Sequence, residues 1–124
     1  ALAQELFTGP RLLIAGRAIS QTGGHGDFRE RIDTPELCGC GHFMSGIGRV
    51  ADRAPVVQQA VRDEIRLGAD QIKIMASGGV ASAADPVHSL QYSRAGLEAI
   101  VDGAERVDTY VMAHATRPPP VRAP

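Results

Sequence analysis

At 124 residues, with 13 Lys and Arg against 14 Asp and Glu, the chain has the length of one domain and a net charge near -1. No charge run suits nucleic acid or an anionic membrane, and with no Trp and 4% aromatic residues there are few stacking surfaces for single-stranded nucleic acid. No stretch approaches the roughly 20 apolar residues of a membrane span, and Ala1-Leu2-Ala3-Gln4 has neither the basic nor the apolar region of a signal peptide, so a cytoplasmic chain with a processed, engineered or cut N-terminus is expected.

Leu2 to Leu6 reads as the end of a helix stopped by Gly9-Pro10. Arg11 to Ala15 reads as the first strand. The loop Gln21-Thr22-Gly23-Gly24-His25-Gly26-Asp27 follows, with three glycines around one histidine and one aspartate. Such glycines let backbone N–H groups approach an anion or a substrate, but the loop lacks the Gly-Lys-Ser/Thr of a phosphate loop and the dinucleotide fingerprint. His25 is either a site residue or a loop residue bonded to Asp27. Residues 28–53 show no clean period and read as an irregular excursion, a pocket wall or a surface loop. Within it, Cys38-Gly39-Cys40-Gly41-His42 has zinc-ligand residue types but no second cluster, and reads as a glycine-rich loop. A disulfide across that spacing would be strained.

Asp52 is expected to cap a helix with Pro55 in its first turn. Val57, Val61 and Ile65 form its apolar stripe, and Gly68 suits its C-terminal cap. Gln71 to Ala76 is a short apolar run broken by Ser77-Gly78-Gly79, which predicts a strand and a turn. Lys73 sits inside that run. Either its ammonium reaches water past the strand end or something chemical holds it there. Asp85-Pro86 marks a turn, and His88 reads as a loop residue. Ser93 is expected to cap a second helix with Leu97, Ile100, Val101 and Ala104 on its apolar face. Thr109 to Ala113 predicts a third strand ending at His114. The tail after it, with Pro118-Pro119-Pro120, is expected to be extended or disordered.

Strands alternating with helices predict an α/β fold of about three parallel strands with two crossover helices, either a doubly wound sheet or part of a β/α barrel. In both, sites gather at the C-terminal strand ends, where His25, Lys73 and His114 fall.

The stretches Gly9 to Asp27, Gly68 to Val80, Gln91-Tyr92-Ser93 and Tyr110 to Ala115 resemble metal-dependent amidohydrolases, in the branch with prolidase-like (Xaa-Pro dipeptidase) and imidazolonepropionase-like proteins. The resemblance implies a partial (β/α)8 TIM barrel over residues 1–114, barrel strands three to five, with residues 115–124 as a tail. It implies one or two divalent metals, usually zinc, with Lys73 as a carboxylated bridging ligand and His114 as a second ligand. It also implies His25, Ser77, Gly78 and Gly79 at the substrate, a small peptide or N-acyl amino acid. The family's first-strand His-x-His pair, sixth-strand histidine and eighth-strand aspartate have no counterpart here. The expectation is therefore a segment of a C–N bond hydrolase using metal-activated water, inactive as an isolated chain and completed by the rest of a barrel or by a second copy. The alternative is a non-catalytic α/β module acting through self-association or a partner.

Overall fold

A computed structural model describes residues 8–29, 47–80 and 85–116. The expected first helix end, the Cys38 to His42 loop and the three prolines of the tail lie outside these residues. Four strands, β1 (Ala18–Ser20), β2 (Gly48–Val50), β3 (Ile72–Met75) and β4 (Val111–His114), form one sheet in the order β2-β1-β3-β4. All three pairings are parallel. Helix α1 (Ala54–Arg66) leads into β3, and α2 (Arg94–Glu105) leads into β4.

Both helices cover one face of the sheet. Ile19, Ile72 and Ile74 from the strands form the core with Val57, Ala60 and Val61 of α1 and Ile100 and Ala104 of α2. Gly103 lets the helices approach, since a Cβ there would stand 3.1 Å from a Val61 methyl. Strand side chains alternate between faces. The register pairs Ile19 with Ile74, Lys73 with Met112 and Met75 with His114. Ala18, Ser20, Lys73, Met75, Met112 and His114 therefore share the face opposite the helices.

Several local expectations are corrected. The first strand is Ala18–Ser20, not Arg11 to Ala15. Leu12, Leu13 and Ile14 are at least half exposed, and Gly16, at φ +64, turns the chain before it enters the sheet. Glu64 explains that turn, because its Oε2 would lie 2.5 Å from a Cβ at Gly16. Among the described residues the strand count is four, because Gly48–Val50, inside the stretch read as irregular, pairs with β1. Gly48 hides this strand from a propensity reading, but a Cβ there would fall 2.1 Å from the Gly26 carbonyl oxygen. Asp52 does not cap α1. Its carboxylate accepts from the Thr22 N–H at 2.7 Å and hydroxyl at 2.8 Å, and the N-cap is Arg53 without a side-chain bond. Ser93 does cap α2, accepting from the Gly96 N–H at 3.2 Å. Gly68, at φ +98, closes α1 as expected.

At the N-terminal end of the strands a buried acid ties the layers together. Glu64, 2% exposed, accepts from the Arg17 N–H at 3.0 Å and its guanidinium at 3.0 and 3.1 Å, and from Arg49 at 3.4 Å. Arg49 also pairs with Asp63. Replacing Glu64 by Ala leaves two partly buried guanidiniums without this acceptor. Urea unfolding is expected to show a loss of about 3 kcal/mol, against about 1 kcal/mol for the Ser93→Ala cap variant. A Glu64→Ala cost no larger than the cap's would mean that the arginines are solvated and the pairing is weak.

Candidate functional site

The candidate residues lie within β3, at the end of β4 and in the loops that follow β1 and β3. β1 runs into the glycine loop, which returns His25 to the sheet. Its imidazole stacks on that of His114, ring centroids 5.0 Å apart and planes 16° from parallel. Lys73 and His114 lie on the same face of adjacent strands, two register positions apart. Lys73 is half-buried, and no acid among the described residues forms an ion pair with it.

Ser77, Gly78 and Gly79 leave β3 as a tight wall. Gly79 lies against His25, where an added Cβ would come within 2.0 Å of the ring. Gly78 packs on the Pro86 carbonyl, 2.0 Å from where a Cβ would stand. Ser77 is fully buried, and its Oγ accepts from the Thr116 N–H at 2.8 Å while the Thr116 hydroxyl donates to the Gly78 carbonyl at 2.9 Å. Ser77 thus braces the chain after β4; its hydroxyl faces Thr116.

His25 does not bond Asp27. The Asp27 carboxylate accepts from Gly23 N–H at 2.8 Å and twice from Arg29 at 2.7 Å. Burial raises the Asp27 pKa, but the hydrogen bonds from Arg29 and Gly23 outweigh it and hold the carboxyl below its ordinary range. His25 faces Asp85 instead, Nδ1 to Oδ2 at 3.7 Å. Beneath lies a network that the sequence reading missed. Ser20 Oγ donates to Gln91 Oε1 at 2.9 Å and accepts from Gly26 N–H at 3.0 Å. Gln91 Nε2 donates to the Ser77 carbonyl at 3.2 Å. Gly24 is small because Gln91 Oε1 lies 2.5 Å from its missing Cβ. Tyr92 donates to the Ala51 carbonyl at 3.0 Å, and burial first, then the Asp52 charge, raises its phenol pKa. Asp85-Pro86 signals a turn, and only the fold brings that acid under the glycine loop.

The amidohydrolase family profile matches residues 1–119. The chain belongs to the amidohydrolase family. It is 38% identical over 122 residues to an ochratoxinase of Aspergillus niger, covering 92% of this chain and 25% of that protein. Among solved structures, a prolidase complexed with N-methylphosphonate-L-proline is 55% identical with a TM-score of 0.81, over 92% of this chain and 28% of the prolidase. A Xaa-Pro dipeptidase with methionine bound in its active site is 30% identical with a TM-score of 0.74, over 92% and 27% of the two chains. This amidohydrolase segment thus spans about a quarter of the length of these relatives, and its four-stranded sheet with two helices matches a fragment of their TIM barrel. Among the described residues, no helix is long and apolar enough to cross a membrane.

For a divalent metal, the donor set is short. Among the described residues no three His, Cys, Asp or Glu side chains gather as a metal-binding group. Lys73, were it carboxylated, and His114 would supply two positions, below the three protein ligands of a catalytic zinc site. The described residues therefore do not by themselves fit a complete metal centre.

Gly79→Ala is expected to push His25 off His114, read as a change in the ring-current shifts of His114 in NMR spectra; unchanged shifts would mean that the stack does not depend on Gly79. Asp27 has a depressed carboxyl pKa, so its contribution to stability is present above the unfolded value near pH 4 and lost as pH falls through the folded one. Asp27→Asn is therefore expected to be less stable than the parent at pH 7, with the gap closing below about pH 4 in urea titrations; a gap that stays constant with pH would exclude the carboxylate as its source.

Proposed function

We propose that this chain is the central segment of a metal-dependent amidohydrolase that cleaves C–N bonds in small peptides or N-acyl amino acids. The observation that carries this reading is that Lys73 within β3 and His114 at the end of β4 share the sheet face away from the helices, with His25 stacked on His114. An unpaired ammonium on a half-buried strand is poorly placed. A carboxylated Lys73 would carry an anion suited to a metal, and His114 an imidazole donor beside it. A bound divalent metal, with zinc the expected ion, supplies water activation and carbonyl polarisation in such enzymes. The remaining ligands and the general base come from outside this segment. Within it, His25 borders the substrate, and Ser77, Gly78 and Gly79 form the close-packed wall against which its ring sits.

As an isolated chain the protein is expected to be inactive, since a partial donor set holds metal weakly. The test is a chimaera in which residues 8–116 replace the matching segment of the 55%-identical prolidase, assayed on an Xaa-Pro and N-acyl amino acid panel. The chimaera is expected to hydrolyse part of the panel, and its Lys73→Ala and His114→Ala variants to lose metal content and more than about 100-fold in kcat/KM, beyond the loss usual for residues that only support ligands. Folded chimaera with full metal and activity after Lys73→Ala would overturn the assignment.

A further inference from the structure

His25 Nδ1 is buried with no hydrogen-bond partner, although the ring keeps 16% of its surface. A sealed ring nitrogen without a partner is costly, and such exceptions point to an interaction still to be completed. What faces it is Asp85, whose side chain is 3% exposed, with Oδ2 3.7 Å away. Among the described residues, every other polar group bonded to this carboxylate is a donor. Oδ1 accepts from the Ser89 hydroxyl at 2.6 Å. Oδ2 accepts from the Gly79 N–H at 3.2 Å and from Gln91 Nε2 at 3.5 Å. Oδ2, the oxygen toward His25, thus has one firm donor in Gly79 and one long contact from Gln91 at 3.5 Å, so a hydrogen on His25 Nδ1 can compete with Gln91 for it.

From this we infer that Asp85 is a positioning residue for His25, taking the hydrogen of Nδ1 and fixing the neutral ring as the Nδ1–H tautomer. The gap of 3.7 Å is longer than a hydrogen bond and closes with a small movement of the ring or the Asp85 loop. No change of charge is involved, since both tautomers are neutral. Which nitrogen of a histidine carries the hydrogen is set by the bond its other nitrogen makes. With Nδ1–H given to Asp85, Nε2 carries the unshared pair, so His25 would take a hydrogen-bond donor from a ligand, such as a peptide N–H or an amino group. The acid sits between Ser77-Gly78-Gly79 and the helix that begins after Ser93, and the histidine in the loop after β1. The contact therefore also couples two loops that shape one site. That His25 meets substrate rests on the function proposed above; the tautomer does not.

The test is 15N NMR of the His25 ring in the full 124-residue chain at a pH where the ring is neutral, with Asp85→Ala and Ser89→Ala beside it. The parent is expected to show a protonated Nδ1 and an unprotonated Nε2. Asp85→Ala is expected to shift His25 toward the Nε2–H form, and Ser89→Ala, which keeps the carboxylate, to leave it in place. A parent spectrum with the hydrogen on Nε2 overturns the inference even where Asp85→Ala does not fold. An equal shift in Ser89→Ala also overturns it, because the tautomer would then track loop order. In the chimaera, Asp85→Ala is expected to lower kcat/KM about 10-fold or more, and His25→Ala/Asp85→Ala to fall no lower than His25→Ala. Additive losses would overturn the coupling. An inactive chimaera with an Nδ1–H His25 would sink the proposed function and leave the tautomer standing.

Discussion

Because side chains alternate across a strand, burying Ile72 and Ile74 under the two helices forces Lys73 and Met75 onto the other face. Parallel register then carries this choice sideways: Met112 and His114 align with Lys73 and Met75, and Ile19 aligns with Ile74. A slip of one residue in β3 would put a lysine among Val57, Val61 and Ile100 and turn two isoleucines away from the core. The hydrophobic face thus sets the position of the polar one, and the candidate site inherits its geometry from core packing that it never touches.

The wall above that face is built from residues chosen for size. Gly24, Gly26, Gly78 and Gly79 each sit where a Cβ would meet another group at under 3 Å. None of them is among the glycines held at positive φ, so their role is close approach, not backbone freedom. They let two loops and the residues before α2 converge on Ser20, Gln91 and Asp85. Buried polar groups at that density stay stable only when nearly every donor finds an acceptor, which makes the unpartnered His25 Nδ1 stand out against its surroundings.

Helix α1, helix α2, β3 and β4 were legible in the sequence because period and punctuation agree there: Val57, Val61 and Ile65 at helical spacing, Ser93 before a helix, Gly68 after one. β1 was misplaced because Leu12-Leu13-Ile14 is more apolar than Ala18-Ile19-Ser20, yet the smaller residues are the ones that fit under the glycine loop. β2 was missed because Gly48-Arg49-Val50 has no strand signature; backbone pairing and the Arg49 contacts with α1 define it. At the site, the stretch from Lys73 to Gly79 and His114 announced themselves by position, since a lysine inside an apolar run and a histidine at a strand end break the local pattern. Asp85, Ser20 and Gln91 broke no pattern. Asp85 satisfies the rule for a turn, and its second role depends on His25, in the loop after β1, which no local reading brings beside it.

The two ends of the strands divide the work. At the N-terminal end Glu64 binds Arg17 and Arg49 and sits against Gly16, locking α1 to the sheet. At the C-terminal end Asp85 gathers donors from loops and faces the His25 ring. Both are buried acids, but they differ in what surrounds them. Glu64 is met by guanidiniums that neutralise it, so its energy goes into holding elements together. Asp85 is met by neutral N–H and O–H groups, with a histidine as the nearest ring nitrogen, so its charge acts on the orientation of that ring. In β/α barrels residues at the N-terminal face serve stability and those at the C-terminal face serve function, and here the difference is visible in the chemistry of two carboxylates within a single four-stranded segment.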